Sequence, residues 1–153
     1  MLTFRPTLEN DVSIVAASMR LEDVEEVFAA SGLDALSGLE KCFKGSDECI
    51  TILSNDVPIA LFGYKVTESD ICGLVWMLGS NEIFNNKIEF LKKSRFWVNY
   101  IQTKIPLIYN LVYHKNIVHI KWMEWLGFRF VRIIEQAGYL NLPFIEFVRI
   151  RNV

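Results

Sequence analysis

Residues 113–130 read YHKNIVHIKWMEWLGFRF, a helix start, a helix, a stop and the beginning of a strand in one passage. Asn116 is a favoured N-cap residue, since its side-chain carbonyl can accept one of the backbone N–H groups that a helix start leaves unpaired. The spacing predicts a helix from Ile117. Ile117, Ile120 and the Trp122–Trp125 region recur at helical period, with Lys121 and Glu124 on the other face. Gly127 ends the helix, because the position just past a helix end often needs positive φ, which glycine adopts at little cost. Phe128-Arg129-Phe130 then alternates as a half-buried strand does.

Upstream of this passage, Leu107–Tyr113 is an apolar run of strand length, and Pro106 closes a long helix that starts near Asn86. Asn86 with Glu89 has the spacing of a capping box. Phe90, Leu91, Val98 and Ile101 recur along this helix, while Lys92, Lys93, Arg95 and Lys104 make much of its remaining surface basic. Ile71–Leu78 is almost unbroken apolar, as expected of a central strand covered on both faces. It is expected to neighbour 107–113 in one sheet that splays near Gly79. Thr67–Asp70 is a turn, and Cys49–Leu53 and Pro58–Tyr64 flank Asn55-Asp56 as a hairpin.

The N-terminal third is helical. Leu2–Arg5, closed by Pro6, fits an edge strand, and Thr7 is placed to cap a first helix reaching about Met19. Residues 21–30 continue helically to Ser31-Gly32, with Leu21, Val24, Val27 and Phe28 on the expected buried face. Glu22, Asp23, Glu25 and Glu26 are expected to be solvated, which argues against a tuned catalytic carboxylate among them. Leu33–Phe43 reads as a short third helix. Two strands, 128–134 and 144–150, follow the Gly127 stop, joined by a connection containing Gly138 and Pro143. The order is strand, helices, three strands, helix, strand, helix, two strands. It predicts a single α/β (α+β) domain over residues 1–153, with a mixed, mostly antiparallel twisted sheet of about six to seven strands and helices on both faces.

Composition narrows the function. The 153 residues are 52% hydrophobic with a formal net charge of −2, enough apolar material for one core and without the basic run of a nucleic-acid-binding surface. No apolar stretch approaches the roughly 20 residues that span a bilayer, and the N-terminus lacks the layout of a signal peptide, so a cytoplasmic location is expected. Three cysteines, Cys42, Cys49 and Cys72, without C-x-x-C spacing, indicate neither a disulfide framework nor a zinc site. His114 and His119 are five apart, off the i, i+4 spacing of a helical metal pair. No metal is expected.

The Asn116–Phe128 pattern resembles the last motif of the GNAT (Gcn5-related N-acetyltransferase) superfamily: an Asn opening a helix, a small residue three on, a Tyr seven on, then Gly-Phe. Here His119 stands for the small residue and Met123 for the Tyr. The resemblance implies the GNAT fold and acetyl-coenzyme A as a possible cofactor. In many enzymes of that superfamily the Tyr hydroxyl protonates the leaving thiolate, chemistry that Met123 cannot do. The superfamily's Q/R-x-x-G-x-G/A loop, whose amides cradle a pyrophosphate, corresponds to Leu78–Asn86 here, with one glycine, no arginine and Glu82. Gly79, Ser80, Asn81 and Asn116 are the candidate cofactor contacts.

A second resemblance, carried by FRPT at the start, residues 47–51, the Trp76 strand, the basic helix and Asn116-x-x-His119, looks like the internal virion protein A family of short-tailed phages. It implies an acetyltransferase-like protein of virion assembly without an established catalytic role, with virion or host proteins as partners. Trp97, Trp122 and Trp125 are then the candidate interaction residues, since desolvated tryptophan dominates interface energetics. The alternative is an acetyl-coenzyme A-dependent N-acetyltransferase in which Asn116 positions the cofactor and Tyr109, Tyr113 or His114 supplies the missing acid.

Overall fold

The computed structural model describes residues 1–67 and 69–151. Seven strands form one sheet in the order β1-β2-β3-β4-β5-β7-β6, with β1 at Leu2–Pro6, β2 at Glu48–Ser54, β3 at Val57–Val66, β4 at Cys72–Gly79, β5 at Leu107–Tyr113, β6 at Arg129–Ala137 and β7 at Leu142–Ile150. Every pairing is antiparallel except β4 with β5. Helices α1 (Glu9–Ala17), α2 (Leu21–Ser31) and α3 (Ala35–Gly45) precede β2, α4 (Lys87–Lys104) joins β4 to β5, and α5 (Ile117–Trp125) joins β5 to β6. The expected turn at Thr67–Asp70 includes Glu68, which lies outside the described residues.

Alternation along β4 separates the two layers. Trp76 and Leu78 pack with Val12, Val15, Val27 and Leu39 from the first three helices. Val75 joins Ile101 of α4, Met123 of α5 and Leu126 just past it, and Met77 joins Phe90 and Trp122. Because successive strand side chains point to opposite faces, α1–α3 cover one side and α4–α5 the other.

The turns follow their residues. Asn55 and Asp56 both have positive φ, the geometry that a two-residue hairpin between β2 and β3 requires. Gly127 has φ +88, with its amide bonded to Glu124 O at 3.0 Å and that of Phe128 to Met123 O at 3.1 Å. This paired arrangement closes α5 with a Schellman motif.

Three caps differ from expectation. Thr7 does not cap α1; the N-cap is Leu8, whose amide donates to Asp11, itself paired with Arg5 and Thr51. Glu89 accepts the Leu2 amide at 2.9 Å instead of closing a box on Asn86, because a 3₁₀ turn over Asn81–Asn86 precedes α4. Asn116 occupies the N-cap position of α5 without a side-chain capping bond. Its amide is drawn toward buried carboxylates on α2.

β4 and β5 pair only through Cys72–Leu74 with Leu107–Tyr109. Past that point β4 stays with β3 up to Gly79, and β5 with β7 up to Tyr113. The splay therefore opens at Val75, earlier than near Gly79. Asn110 is placed at the fork, and its Nδ2 donates to Val75 O at 2.8 Å where backbone pairing has ended.

Candidate functional site at the strand splay

The parting of β4 and β5 leaves a cavity of about 590 Å³ whose walls come from both sides of the sheet. Val98, Trp122 and Met123 contribute from one layer and Glu26, Val27 and Cys42 from the other. Most of the lining is apolar.

Strand ends that diverge leave amides without a ladder partner, and a buried N–H without an acceptor is costly. Helix α2 supplies the acceptors here. Asp23 Oδ2 accepts the Gly79 amide at 3.1 Å, and Glu26 Oε2 accepts the Tyr113 amide at 2.7 Å. Asn116 joins the two, its Nδ2 donating to Asp23 Oδ1 at 3.3 Å and to Glu26 Oε2 at 3.4 Å. Arg20 Nη1 completes the cluster, 3.1 Å from Asp23 Oδ1. Both ends of the splay are thus tied to α2.

This overturns the expectation of a solvated acidic face for Asp23 and Glu26, while Glu22 and Glu25 are exposed as expected. Asp23 is 0% exposed and Glu26 half-buried, while Leu21 is 66% and Phe28 45% exposed. The amides at the splay determine which face of α2 turns inward. Burial raises the Asp23 carboxyl above its ordinary range despite the Arg20 charge beside it. Burial likewise pushes Glu26 up to about 7, with the nearby Asp23 adding to the rise and the Tyr113 amide opposing it. His119 on α5 is buried and pushed down to about 4, so it is neutral at pH 7. Sequence carried one clue to the cluster: Arg20 and Asp23 stand at i, i+3, a spacing at which side chains meet on a helix.

Gly79 and Ser80 lie buried at the end of β4, and Asn81 is exposed at the start of the 3₁₀ turn. Their loop's amides are largely engaged: Gly79 with Asp23, Ser80 with Ile59 O at 2.8 Å, Glu82 with Ser80 Oγ at 3.3 Å and Ile83 with Ser80 O at 3.4 Å. A β-carbon at Gly79 would come within 2.7 Å of Ala60 Cβ, so this glycine serves packing inside the protein. Asn116 is brought beside Gly79 through Asp23.

Trp97, Trp122, Met123 and His119 all line the cavity, whereas Tyr109, Tyr113 and His114 do not. Tyr113 is stacked 5.4 Å from Phe144, and His114 Nδ1 lies 2.9 Å from Pro143 O, which sets it as the donor. Trp97 and Trp122 are half-buried; Trp122 packs 5.3 Å from Phe90, and its Nε1 is buried with no acceptor among the described residues. Trp125 alone of the three is well exposed, 42%, with the Arg95 guanidinium 4.1 Å above its ring.

A mostly antiparallel sheet that splays between a parallel central pair, with helices on both faces, is the fold of the GNAT acetyltransferases. The chain superposes on the acetyltransferase of Bacillus anthracis with a TM-score of 0.69 at 12% identity, covering 97% of this chain and 94% of that one. An aminoglycoside 6'-acetyltransferase of type Ii matches with a TM-score of 0.72 at 14% identity, over 97% and 96% of the two chains. The enzyme AAC(6')-Ib, solved with ribostamycin and coenzyme A, matches with a TM-score of 0.71 at 16% identity, over 98% and 93%. No protein-family model matches the sequence. In sequence, the chain is 24% identical over 147 residues to the "Probable scaffold protein gp13" of Escherichia phage T7, covering 93% of this chain and 95% of that protein.

Proposed function

We propose that this chain is a phage protein of virion assembly, an internal virion protein that uses an acetyltransferase scaffold to bind virion or host proteins and does not transfer acetyl groups. The observation that carries the reading is the α2 plug: Asp23 and Glu26 hold the amides of Gly79 and Tyr113 at the two ends of the splay. A pyrophosphate needs free N–H donors and a positive field. The Gly79–Ile83 loop has spent most of its amides internally, the carboxylates of Asp23 and Glu82 stand at it, and the cation beside it, Arg20, is already paired with Asp23 and Glu22, so this donor set does not fit one. Met123 adds to this, because a thioether in the place of a phenol has no proton to give to a leaving thiolate. The similarity to the phage T7 scaffold protein supports the assembly role.

The apolar cavity at the splay favours the second reading, an N-acetyltransferase with an atypical loop, since it leaves room for a ligand between β4 and β5. The two readings separate on two measurements. Mass spectrometry of purified virions reports whether the protein is packaged or associates with capsid or ejection components. Calorimetric titration with acetyl-coenzyme A, followed by thiol release over a panel of amines, reports on acetyl transfer. The assembly reading expects association without turnover.

A further inference from the structure

Two helices on opposite faces of the sheet carry exposed stripes that match each other. On α2, Leu21, Glu25 and Phe28 are all exposed and, at i, i+4 and i+7, share one side of the helix. On α4, Ile88, Lys92 and Phe96 are exposed at i, i+4 and i+8, with Ile88 at 73% and Phe96 at 61%. Each stripe places a charge between two large apolar side chains, acid on one helix and base on the other. At about 1.5 Å per residue, the apolar ends lie about 10.5 Å apart on α2 and about 12 Å apart on α4, a mismatch that side-chain rotamers absorb. Neither Glu25 nor Lys92 has an ion-pair partner within 4 Å among the described residues.

The surroundings have the same polarity. Glu22 flanks the α2 stripe, and the single cation of the α1–α2 segment, Arg20, is buried between Asp23 at 3.1 Å and Glu22 at 3.6 Å. Lys93 and Arg95 flank the α4 stripe, whose one acid, Glu89, is half-buried on the Leu2 amide. Where exposed apolar side chains flank an unpaired charge, a complementary charge fixes which surfaces meet and in what register.

We infer that the α2 stripe of one copy docks on the α4 stripe of another, with Glu25 opposite Lys92 and the apolar pairs on either side. The inference rests on these two stripes and is independent of the proposed function. Because α2 and α4 belong to opposite layers, the contact is heterologous, and its repetition builds a ring or an open filament instead of closing at a dimer.

Sedimentation of the full chain over a concentration series tests this, at low salt and at about 0.5 M salt, where screening is short-ranged. The expected result is concentration-dependent association to species larger than a dimer. It should weaken at least about tenfold with added salt and to a similar extent in Glu25→Lys or in Lys92→Glu. The double variant carrying both substitutions in one chain restores the pair across every contact, and its association returns toward that of the original chain. Unchanged melting temperatures confirm that these exposed substitutions leave the fold intact. A monomer at all concentrations would overturn the inference, as would association that either single variant leaves unchanged or that the double variant fails to restore. A monomer that captures only a different protein would overturn it too.

Discussion

The Gly79 amide, at the end of β4, donates to Asp23 Oδ2 on α2 across 3.1 Å. It joins the strand that leads into the Asn81–Asn86 turn to a helix two elements from the N-terminus, and it is buried at both ends. Asp23 also neutralises Arg20, which is only 5% exposed. Asp23→Ala should therefore destabilise the protein by about 3 kcal/mol, because it leaves the buried Arg20 only the longer 3.6 Å contact with half-exposed Glu22 and strands the Gly79 amide. Asp23→Asn keeps an acceptor for Gly79 but loses the charge. In urea denaturation both variants are expected to fall well below the original chain, and an unchanged midpoint in Asp23→Ala would remove the plug as a structural element.

Glu26 gives a pH signature. Its folded carboxyl titrates at about 7 against an ordinary 4.5, so between those values the folded state holds more protons than the unfolded state. The stability it confers is complete below about pH 4.5 and is lost as pH rises through 7. His119, pushed from 6.5 to about 4, acts oppositely, losing stability as pH falls from 6.5 toward 4. The two offset each other over the acidic range. Glu26→Gln removes only the first effect while keeping an acceptor for Tyr113. Its stability relative to the original chain should rise by about 2 kcal/mol from pH 5 to pH 8, and a difference flat in pH would contradict the assignment.

Gly127 isolates backbone strain from packing. A β-carbon there would have Arg149 Nε at 3.5 Å as its nearest neighbour, an ordinary contact, so only the φ of +88 opposes substitution. Gly127→Val should cost about 1–2 kcal/mol, read as a lower melting temperature. An unchanged melting temperature would mean that the chain relaxes without the left-handed residue.

The tryptophans should separate by role. Trp122 packs against Phe90 and the core on the α4–α5 side, so Trp122→Ala should cost about 3–5 kcal/mol. Trp125 lies outside, held by Arg95, and its removal should change stability by less than about 1 kcal/mol. Equal losses in denaturation midpoints would contradict this division.

Much of the fold was legible because its signals are local. The Asn55-Asp56 turn, the Gly127 stop and the unbroken apolar run of β4 each follow from a few adjacent residues. The plug was not, because it depends on the orientation of α2. Helical periodicity identified two stripes, and hydrophobicity alone selected Leu21 and Phe28 for the inside. What selects Asp23 and Glu26 instead is a pair of amides more than fifty residues away, freed by a splay that no local pattern announces. The same long-range demand draws Asn116 away from its cap. Glu89 departs from its expected capping role for a similar reason, since it serves the Leu2 amide outside its own helix start.

Calorimetric titration with acetyl-coenzyme A, coupled to a thiol-release assay over amines including polyamines and lysine peptides, tests the central claim most directly. Loss of a general acid alone costs about 10²-fold, and a thioester misplaced by about 1 Å loses a further 10²-fold, so turnover should sit near background even where weak binding is seen. Micromolar affinity together with turnover above roughly 1 per second, abolished by Asn116→Ala in a folded variant, would contradict the claim and establish an acetyltransferase.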